Sequence, residues 1–386
     1  MQAGSTWREV HAKYLLDFIS NGFVALDKLQ ALDAMQAKLP VDNPTLLGLG
    51  PEKAGQLLAA CNAVPRLLSV LYWVVCGLKL LQHALPSALE ERLLQFVQAC
   101  RHDCGGYSPH PDHPADLLAS LSAVQLFILL GRKDMVADRA DSLRQFVLSL
   151  RSSDGSFTCR PGSEDCDCRF VYSALNLLAL LGPGPVGTSP AMGTAEMEVT
   201  TSWLLRCQNL DGGFGCLPDG ACESHAGHTF CCMAALALLD AVPKISQGNQ
   251  KRLLRWLAFR QCAEGGLNGR PGKAPDVCYT WWVLASTTIF AEAQQPPMSV
   301  CDLIDGHALR RFVDSCAAGT GGIAPHPGDD PDVFHTFFGV AGLALLDAAA
   351  EGTVQPELAR WGNTPPCMNP RVALPSEVLH GQPSLR

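Results

Sequence analysis

Apolar positions along this chain fall into segments that alternate in kind. From about residue 90 onward, a helix-like segment runs into a glycine-rich turn, and a second, more apolar segment follows eleven to fourteen residues later. The turns read Cys104-Gly105-Gly106-Tyr107, Asp154-Gly155-Ser156-Phe157, Asp211-Gly212-Gly213-Phe214, Glu264-Gly265-Gly266-Leu267 and Thr320-Gly321-Gly322-Ile323. An aromatic stands nine residues before each first glycine: Phe96, Phe146, Trp203, Trp256 and Phe312. Five matches in register make a repeat. The glycines end the first helix of each unit. The second helices are expected over Asp116–Gly131, Arg169–Leu181, His225–Leu239, Asp276–Ile289 and His335–Leu346. They are rich in Leu, Ala and Phe on most faces, as helices buried all round should be. Ahead of the repeat, Leu67–Leu81 reads as another buried helix, with Ser69, Tyr72 and Trp73 in its first turns, and His11–Ile19 as an amphipathic one.

Units of outer helix, turn, loop and inner helix stack to share a core. About six of them, counting a degenerate first pair, predict an all-α fold closed into an α/α barrel, with an open solenoid as the alternative. Residues 183–200, 241–250 and 291–302 read as loops. Residues 1–60 form an N-terminal helical segment before a barrel over 61–386, in a single domain.

Composition narrows the function. The chain has 386 residues, 47% hydrophobic and 17% charged, with a net charge of −8. That is enough to bury a large core, and without a long basic run nucleic acid is an unexpected partner. The longest apolar run, Leu67–Leu78, is too short for a transmembrane segment, which takes roughly 20 residues. No secretory signal opens the chain, so its 17 cysteines are expected as buried thiols of a reduced, cytoplasmic protein.

The inner helices run the same way, so their N-termini share one end of the barrel. The richest chemistry there is Gly269-Arg270-Pro271-Gly272-Lys273-Ala274-Pro275-Asp276-Val277-Cys278-Tyr279, a tight loop of cations leading into a helix. Asp276 and Cys278, with His335 on the next inner helix, make an oxygen, sulfur and nitrogen set. Three protein ligands leave one position open, as at catalytic zinc. The competing reading is a helix cap, a buried thiol and a satisfied histidine. The repeat, which sets the last two inner helices side by side, favours the metal. Arg270, Lys273, His225 and Tyr279 form a donor set suited to a diphosphate. Tyr72, Trp73, Tyr172, Phe230, Trp281, Trp282 and Phe334 should line the interior, some as core and some around an amphiphile. Cys159, Cys166 and Cys168 lack a fourth ligand at finger spacing. The run Asp329-Asp330-Pro331-Asp332 reads as a solvated loop.

Several of these motifs are similar to those of protein prenyltransferase β subunits: Glu223-Ser224-His225-Ala226-Gly227, Gly266-Leu267-Asn268-Gly269-Arg270-Pro271 with Lys273, Asp276-Val277-Cys278-Tyr279, and Phe334-His335-Thr336. The resemblance covers roughly residues 60–380. It is nearest to the Rab geranylgeranyltransferase (type II) kind, on Pro275 to Ser286, Asn209 to Cys216 and Pro375 to Leu379. It implies an α/α barrel paired with a helical α subunit. It implies zinc on Asp276, Cys278 and His335, and diphosphate contacts from His225, Arg270, Lys273 and Tyr279. Arg169 matches a position close to isoprenoid and peptide. Ser69, where farnesyl-type relatives carry tryptophan, implies room for the twenty-carbon chain of geranylgeranyl diphosphate. The acceptor would be a Rab-type GTPase presented by an escort protein. Magnesium-using members carry an acid two positions before the Pro-Gly that matches Pro327-Gly328. Here Pro325 stands there, followed by His326, which leaves Mg2+ dependence open. The rivals are another protein prenyltransferase, farnesyl or type I geranylgeranyl, a terpene cyclase, whose Asp-x-Asp-Asp run is absent, and a metal-free repeat scaffold.

Overall fold

The structure is a computed structural model that describes residues 6–36, 66–111, 113–182, 190, 192–294, 298–349, 361 and 366–379, with side chains of the first helix as far as Phe23. The described residues form fourteen α-helices. In chain order they are α1 (Trp7–Gln36), α2 (Leu67–Leu80), α3 (Ser87–Ala99), α4 (Leu117–Leu129), α5 (Lys133–Ala137), α6 (Ala140–Ser149), α7 (Cys168–Leu180), α8 (Thr194–Arg206), α9 (Ala226–Leu238), α10 (Gln247–Ala258), α11 (Cys278–Glu292), α12 (Gly306–Ser315), α13 (Val333–Ala349) and α14 (Ser376–Leu379). A two-stranded antiparallel ladder, β1 (Met368–Asn369) with β2 (Leu374–Pro375), lies near the C-terminal end. Among the described residues, no helix is long and apolar enough to cross a membrane.

The inner ring is α2, α4, α7, α9, α11 and α13. Each packs on the next, and α13 returns to pack on α2. The ring is therefore closed, and the open solenoid falls. The glycine turns hold it in register. Each is pinched by a backbone bridge across six residues: Arg101 to Tyr107, Arg151 to Phe157, Gln208 to Phe214, Gln261 to Leu267 and Ala317 to Ile323. The first glycine then lies against the backbone of the next outer helix: Gly105 on Ser142, Gly155 on Thr200, Gly212 on Arg252, Gly265 on Ala308. The fifth, Gly321, lies on Val10 of α1. So α1 is the outer helix that closes the ring, and it runs well beyond the expected His11–Ile19. His11 Nδ1 accepts from Gly322 N–H at 2.9 Å, and Tyr14 Oη donates to the Pro331 carbonyl at 3.0 Å.

Each inner helix from α4 onward starts at an equivalent cap, a side chain accepting a backbone N–H of the first turn. Asp116 caps at Ala119 N (2.7 Å), Asp167 at Arg169 N (2.8 Å), His225 at Gly227 N (3.2 Å), Asp276 at Cys278 N (2.8 Å) and Asp332 at His335 N (2.8 Å). The first four of these helix starts are also tied to the loop of the following unit: Leu117 N to Cys159 O, Cys168 N to Cys216 O, Ala226 N to Gly269 O and Val277 N to Pro325 O, at 2.8–3.1 Å. These ties bring the loops of one unit over the helix starts of the one before.

Three expected loops need correction. Within 183–200, α8 already begins at Thr194, where Glu196 bonds back to Gly193 N at 3.0 Å and closes the first turn. Within 241–250, Val242–Lys244 is a 3-10 turn, and Ser246 caps α10. Within 291–302, Ala291 and Glu292 still belong to α11, and Val300–Asp302 is a second 3-10 turn. At the end of the barrel away from the helix starts, the C-terminal segment is built into the ring. Buried Gln125 and Asn176 both donate to the Val372 carbonyl (3.1 and 3.3 Å), and Tyr72 donates to that of Ala373.

Candidate active site and metal centre

Asp276, Cys278 and His335 come together where α11 and α13 begin. Their ligand atoms, an oxygen, a sulfur and a nitrogen, all lie within 4.8 Å of one another. Asp276 stands just before α11 and Cys278 is its first residue, so the capping turn folds carboxylate and thiol to one side. His335 is in the first turn of α13 and faces Asp276, Nε2 to Oδ1 at 3.2 Å. Its other nitrogen, Nδ1, meets Asp332 at 2.6 Å. Asp332 thus holds His335 twice, the ring through Nδ1 and the main chain through its N–H. A carboxylate behind a histidine in this way orients it as a metal ligand.

The protonation chemistry fits a cation. Burial pulls the His335 imidazole down, but its bonds to Asp276 and Asp332 prevail and push it up to about 9. Burial lifts Asp276, but His335 and the Cys278 N–H outweigh it and leave the carboxyl below its ordinary value. Burial and the adjacent Asp276 push the Cys278 thiol far up. The set is thus one anion and two protonated ligands, which a metal would convert by displacing protons. The residues fit a three-ligand site with one position open. Among the described residues this is the one such cluster gathered. Cys159, Cys166 and Cys168 do not converge, and the run Asp329 to Asp332 splits, since Asp329 pairs with His326 and Asp332 with His335. Asp332→Asn is expected to keep the fold and weaken metal binding roughly 10–100-fold. Competition with a chromophoric chelator measures it, and unchanged affinity would deny Asp332 its orienting role.

Beside the triad opens a cleft of about 330 Å³ lined by His225, Arg270, Lys273, Ala274, Asp276, Tyr279 and His326. The four expected donors all face it. His225 Nδ1 is engaged by Gly227 N–H, which leaves the proton on Nε2, 3.3 Å from Tyr279 Oη. Burial, His228 and Arg270 lower the His225 pKa to about 4, so it is a neutral donor. Burial and the neighbouring Cys278 raise Tyr279 to about 12. Gly269 lies under the Tyr279 ring, where a Cβ would sit 2.4 Å from Cζ. Arg270 carries Glu223 as its ion-pair partner, which an incoming anion must displace. Arg169 is not in the cleft. It lies at the start of α7, exposed, and forks onto Asp167 (Nε to Oδ1 3.0 Å, Nη2 to Oδ2 2.5 Å).

An aromatic belt leads inward from the triad. Phe334 touches His335 (ring centroids 5.0 Å), Trp73 (5.1 Å) and Phe338 (4.6 Å). Trp282 meets Phe338 at 4.4 Å and Phe230 at 5.2 Å, and Phe230 meets Tyr172 at 5.2 Å. Of the expected lining residues Trp281 and Phe230 are the most enclosed, both almost wholly buried. Trp281, 5.8 Å from Phe230, is core, and its neighbour Trp282 presents the partly open face. Phe338 went unforeseen, although it lies one turn from Phe334 on the same helical face. Ser69 on α2 meets Ser122 of α4 at 3.1 Å, oxygen to oxygen. In ring order these two helices stand across from α9 and α11, which carry Phe230 and Trp282. A larger hollow of about 580 Å³ lies at the other helix ends, among Leu78, Lys79, Leu129 and Val378, away from every group named here.

This barrel, with its triad and donor cleft, agrees with what comparison finds. The model of the prenyltransferase alpha-alpha toroid domain matches residues 59–369. The chain belongs to that family, and with it to the prenyltransferase enzymes. Among its relatives is the geranylgeranyl transferase type-2 subunit beta of Saccharomyces cerevisiae, 38% identical over 282 residues, which cover 72% of this chain and 81% of that protein. The subunit of the same description from Candida albicans is 33% identical over 258 residues, 64% of this chain and 70% of that one. A solved structure of Candida albicans protein geranylgeranyltransferase-I complexed with GGPP shares the fold, with a TM-score of 0.66 at 19% identity over 86% of this chain and 93% of that one.

Proposed function

We propose that this chain is the catalytic β subunit of a zinc-dependent protein geranylgeranyltransferase. It transfers the geranylgeranyl group of geranylgeranyl diphosphate to C-terminal cysteine thiols of Rab-type GTPases. It works in the cytoplasm, paired with a helical α subunit, on acceptors brought by an escort protein. The observation that carries the reading is the Asp276, Cys278 and His335 triad opening directly beside the cationic cleft. The type-2 relatives favour this kind over the farnesyl and type I kinds, and the small Ser69 and Ser122 pair is in keeping with a long lipid.

Asp276, Cys278 and His335 would hold zinc, which in its open position would keep an acceptor thiol ionised. The acceptor sulfur forms a bond to C1 of the lipid, the C1–O bond breaks, and diphosphate leaves with the electron pair. The thiol proton goes to solvent. Arg270 and Lys273 meet the charge that grows on the leaving group. The Nε2–H of His225 and the Tyr279 hydroxyl donate to its oxygens. Loss of one such donor should raise the barrier by roughly 2–4 kcal/mol. The belt of Trp73, Trp282, Phe334 and Phe338 holds the isoprenoid away from water, and positioning supplies much of the rate.

Zinc per chain and geranylgeranyl transfer to a Rab-type acceptor, measured on the complex with its α subunit and escort, test this together. About one zinc with transfer in the native protein, and neither in His335→Ala, is the expected result. A folded, untreated preparation without zinc would remove the mechanism. Faster transfer from farnesyl diphosphate would move the assignment to another prenyltransferase kind.

A further inference from the structure

The repeat supplies a donor to this cleft that its resemblances do not assign. The N–H that opens α9 is held by the Gly269 carbonyl, and the residue that follows is Arg270. One unit later the N–H before α11, that of Val277, is held by the Pro325 carbonyl, and the residue that follows is His326. Gly269 stands three residues after Gly266, and Pro325 three after Gly322, so the two loops are in register. His326 is therefore the repeat equivalent of Arg270, and the two come to the same cleft beside the start of α11. The likeness extends to their partners. Arg270 is paired with Glu223, and His326 Nδ1 with Asp329 Oδ2 at 3.0 Å. That bond places a proton on Nδ1 and fixes the ring, so Nε2 donates to a diphosphate oxygen when the ring is the imidazolium, the form that Asp329 on one side and an incoming diphosphate on the other both favour. His326 is a little under half exposed, open enough to be reached. Asp329, the nearest carboxylate of its own loop, is thereby occupied.

We infer that His326 is a fifth contact for the diphosphate, reaching it from the α13 side of the cleft while Arg270 reaches it from the α9 side. The inference rests on the transferase reading and deepens it. Leaving-group oxygens between these loops would be gripped on two sides, with the Tyr279 hydroxyl and His225 Nε2 on the α11 and α9 side. A two-sided grip favours the departed diphosphate as well as the bound substrate.

The test uses the complex with its α subunit, with inorganic diphosphate and geranylgeranyl diphosphate as probes. His326→Ala is expected to weaken inhibition by inorganic diphosphate about tenfold or more, the usual effect of losing a bond to a charged group. It should leave zinc content and the KM for the acceptor protein unchanged. His326→Lys, which restores a cation, should recover most of the loss, as no purely structural role would allow. A folded, zinc-loaded His326→Ala that diphosphate inhibits as strongly as the native protein would overturn the assignment and leave the transferase reading standing. A native, zinc-loaded complex that neither binds diphosphate nor transfers a prenyl group would overturn both.

Discussion

Zinc binding to the metal-free protein is expected to release close to two protons near neutral pH. The affinity should then climb about a hundredfold for each pH unit between roughly 6 and 8. The sign follows from the triad. Asp276, held below its ordinary value, is already ionised and contributes no proton. The Cys278 thiol is pushed far up by burial and by Asp276, so it binds metal only by losing its proton. His335 is lifted to about 9 by Asp276 and Asp332 against the pull of burial, so at pH 7 it too is protonated and must release a proton. Above pH 9 His335 is neutral beforehand, and the slope should fall to one proton. Titration calorimetry of zinc chloride into the chelator-treated complex, in buffers of different ionisation enthalpy, reads the number directly. Cys278→Ala should bring the release to about one and weaken affinity by at least about a hundredfold, since a thiolate is the softest ligand of the set. Release near zero in the native protein would mean that the three groups do not hold the metal together.

How much of this was legible in the chain depended on distance along it. The glycine turns could be read because their chemistry is local and recurs at a near-constant interval. The cap position could be read for the same reason, and it delivers the site. Asp116 caps a helix and Asp167 caps one and holds Arg169, whereas His225, Asp276 and Asp332 occupy the same place in later units and face the cleft or the triad. The triad became credible only through the repeat, which sets α11 beside α13.

What could not be read needed contacts between distant segments or a choice among equivalent faces. Trp281 and Trp282 are neighbours on a helix apolar nearly all round, so periodicity does not say which is enclosed. The equivalence of His326 with Arg270 emerges only once the bonds to Gly269 and Pro325 show which loop positions match. The role of α1 was hidden most deeply, because Tyr14 and Pro331 are 317 residues apart in sequence. The Gly321 turn repeats the pattern of the others, yet nothing local names the helix it rests on.

That hidden contact carries the largest expected effect on stability. Gly321→Ala should destabilise the protein by about 3–5 kcal/mol, and Gly131→Ala by only about 1–2 kcal/mol. Both glycines have positive φ, +105° at Gly321 and +70° at Gly131, so both substitutions strain the backbone. They differ in their surroundings. A Cβ on Gly131 would meet nothing within 4 Å, whereas one on Gly321 would lie 2.4 Å from the Val10 carbonyl oxygen and 3.0 Å from Tyr14 Cβ. Neither neighbour is the free end of a flexible side chain, so α1 as a whole must move away. Moving it stretches the bond from Gly322 N–H to His11 and the one from Tyr14 to Pro331, and opens the ring where first and last units meet. The barrel should then lose its closure before its individual hairpins, because the other four turns keep their own outer helices. Denaturant midpoints of the two variants give the energies, and limited proteolysis should show cleavage near α1 first in Gly321→Ala. Equal destabilisation by the two substitutions would mean that α1 does not lock the ring at Gly321.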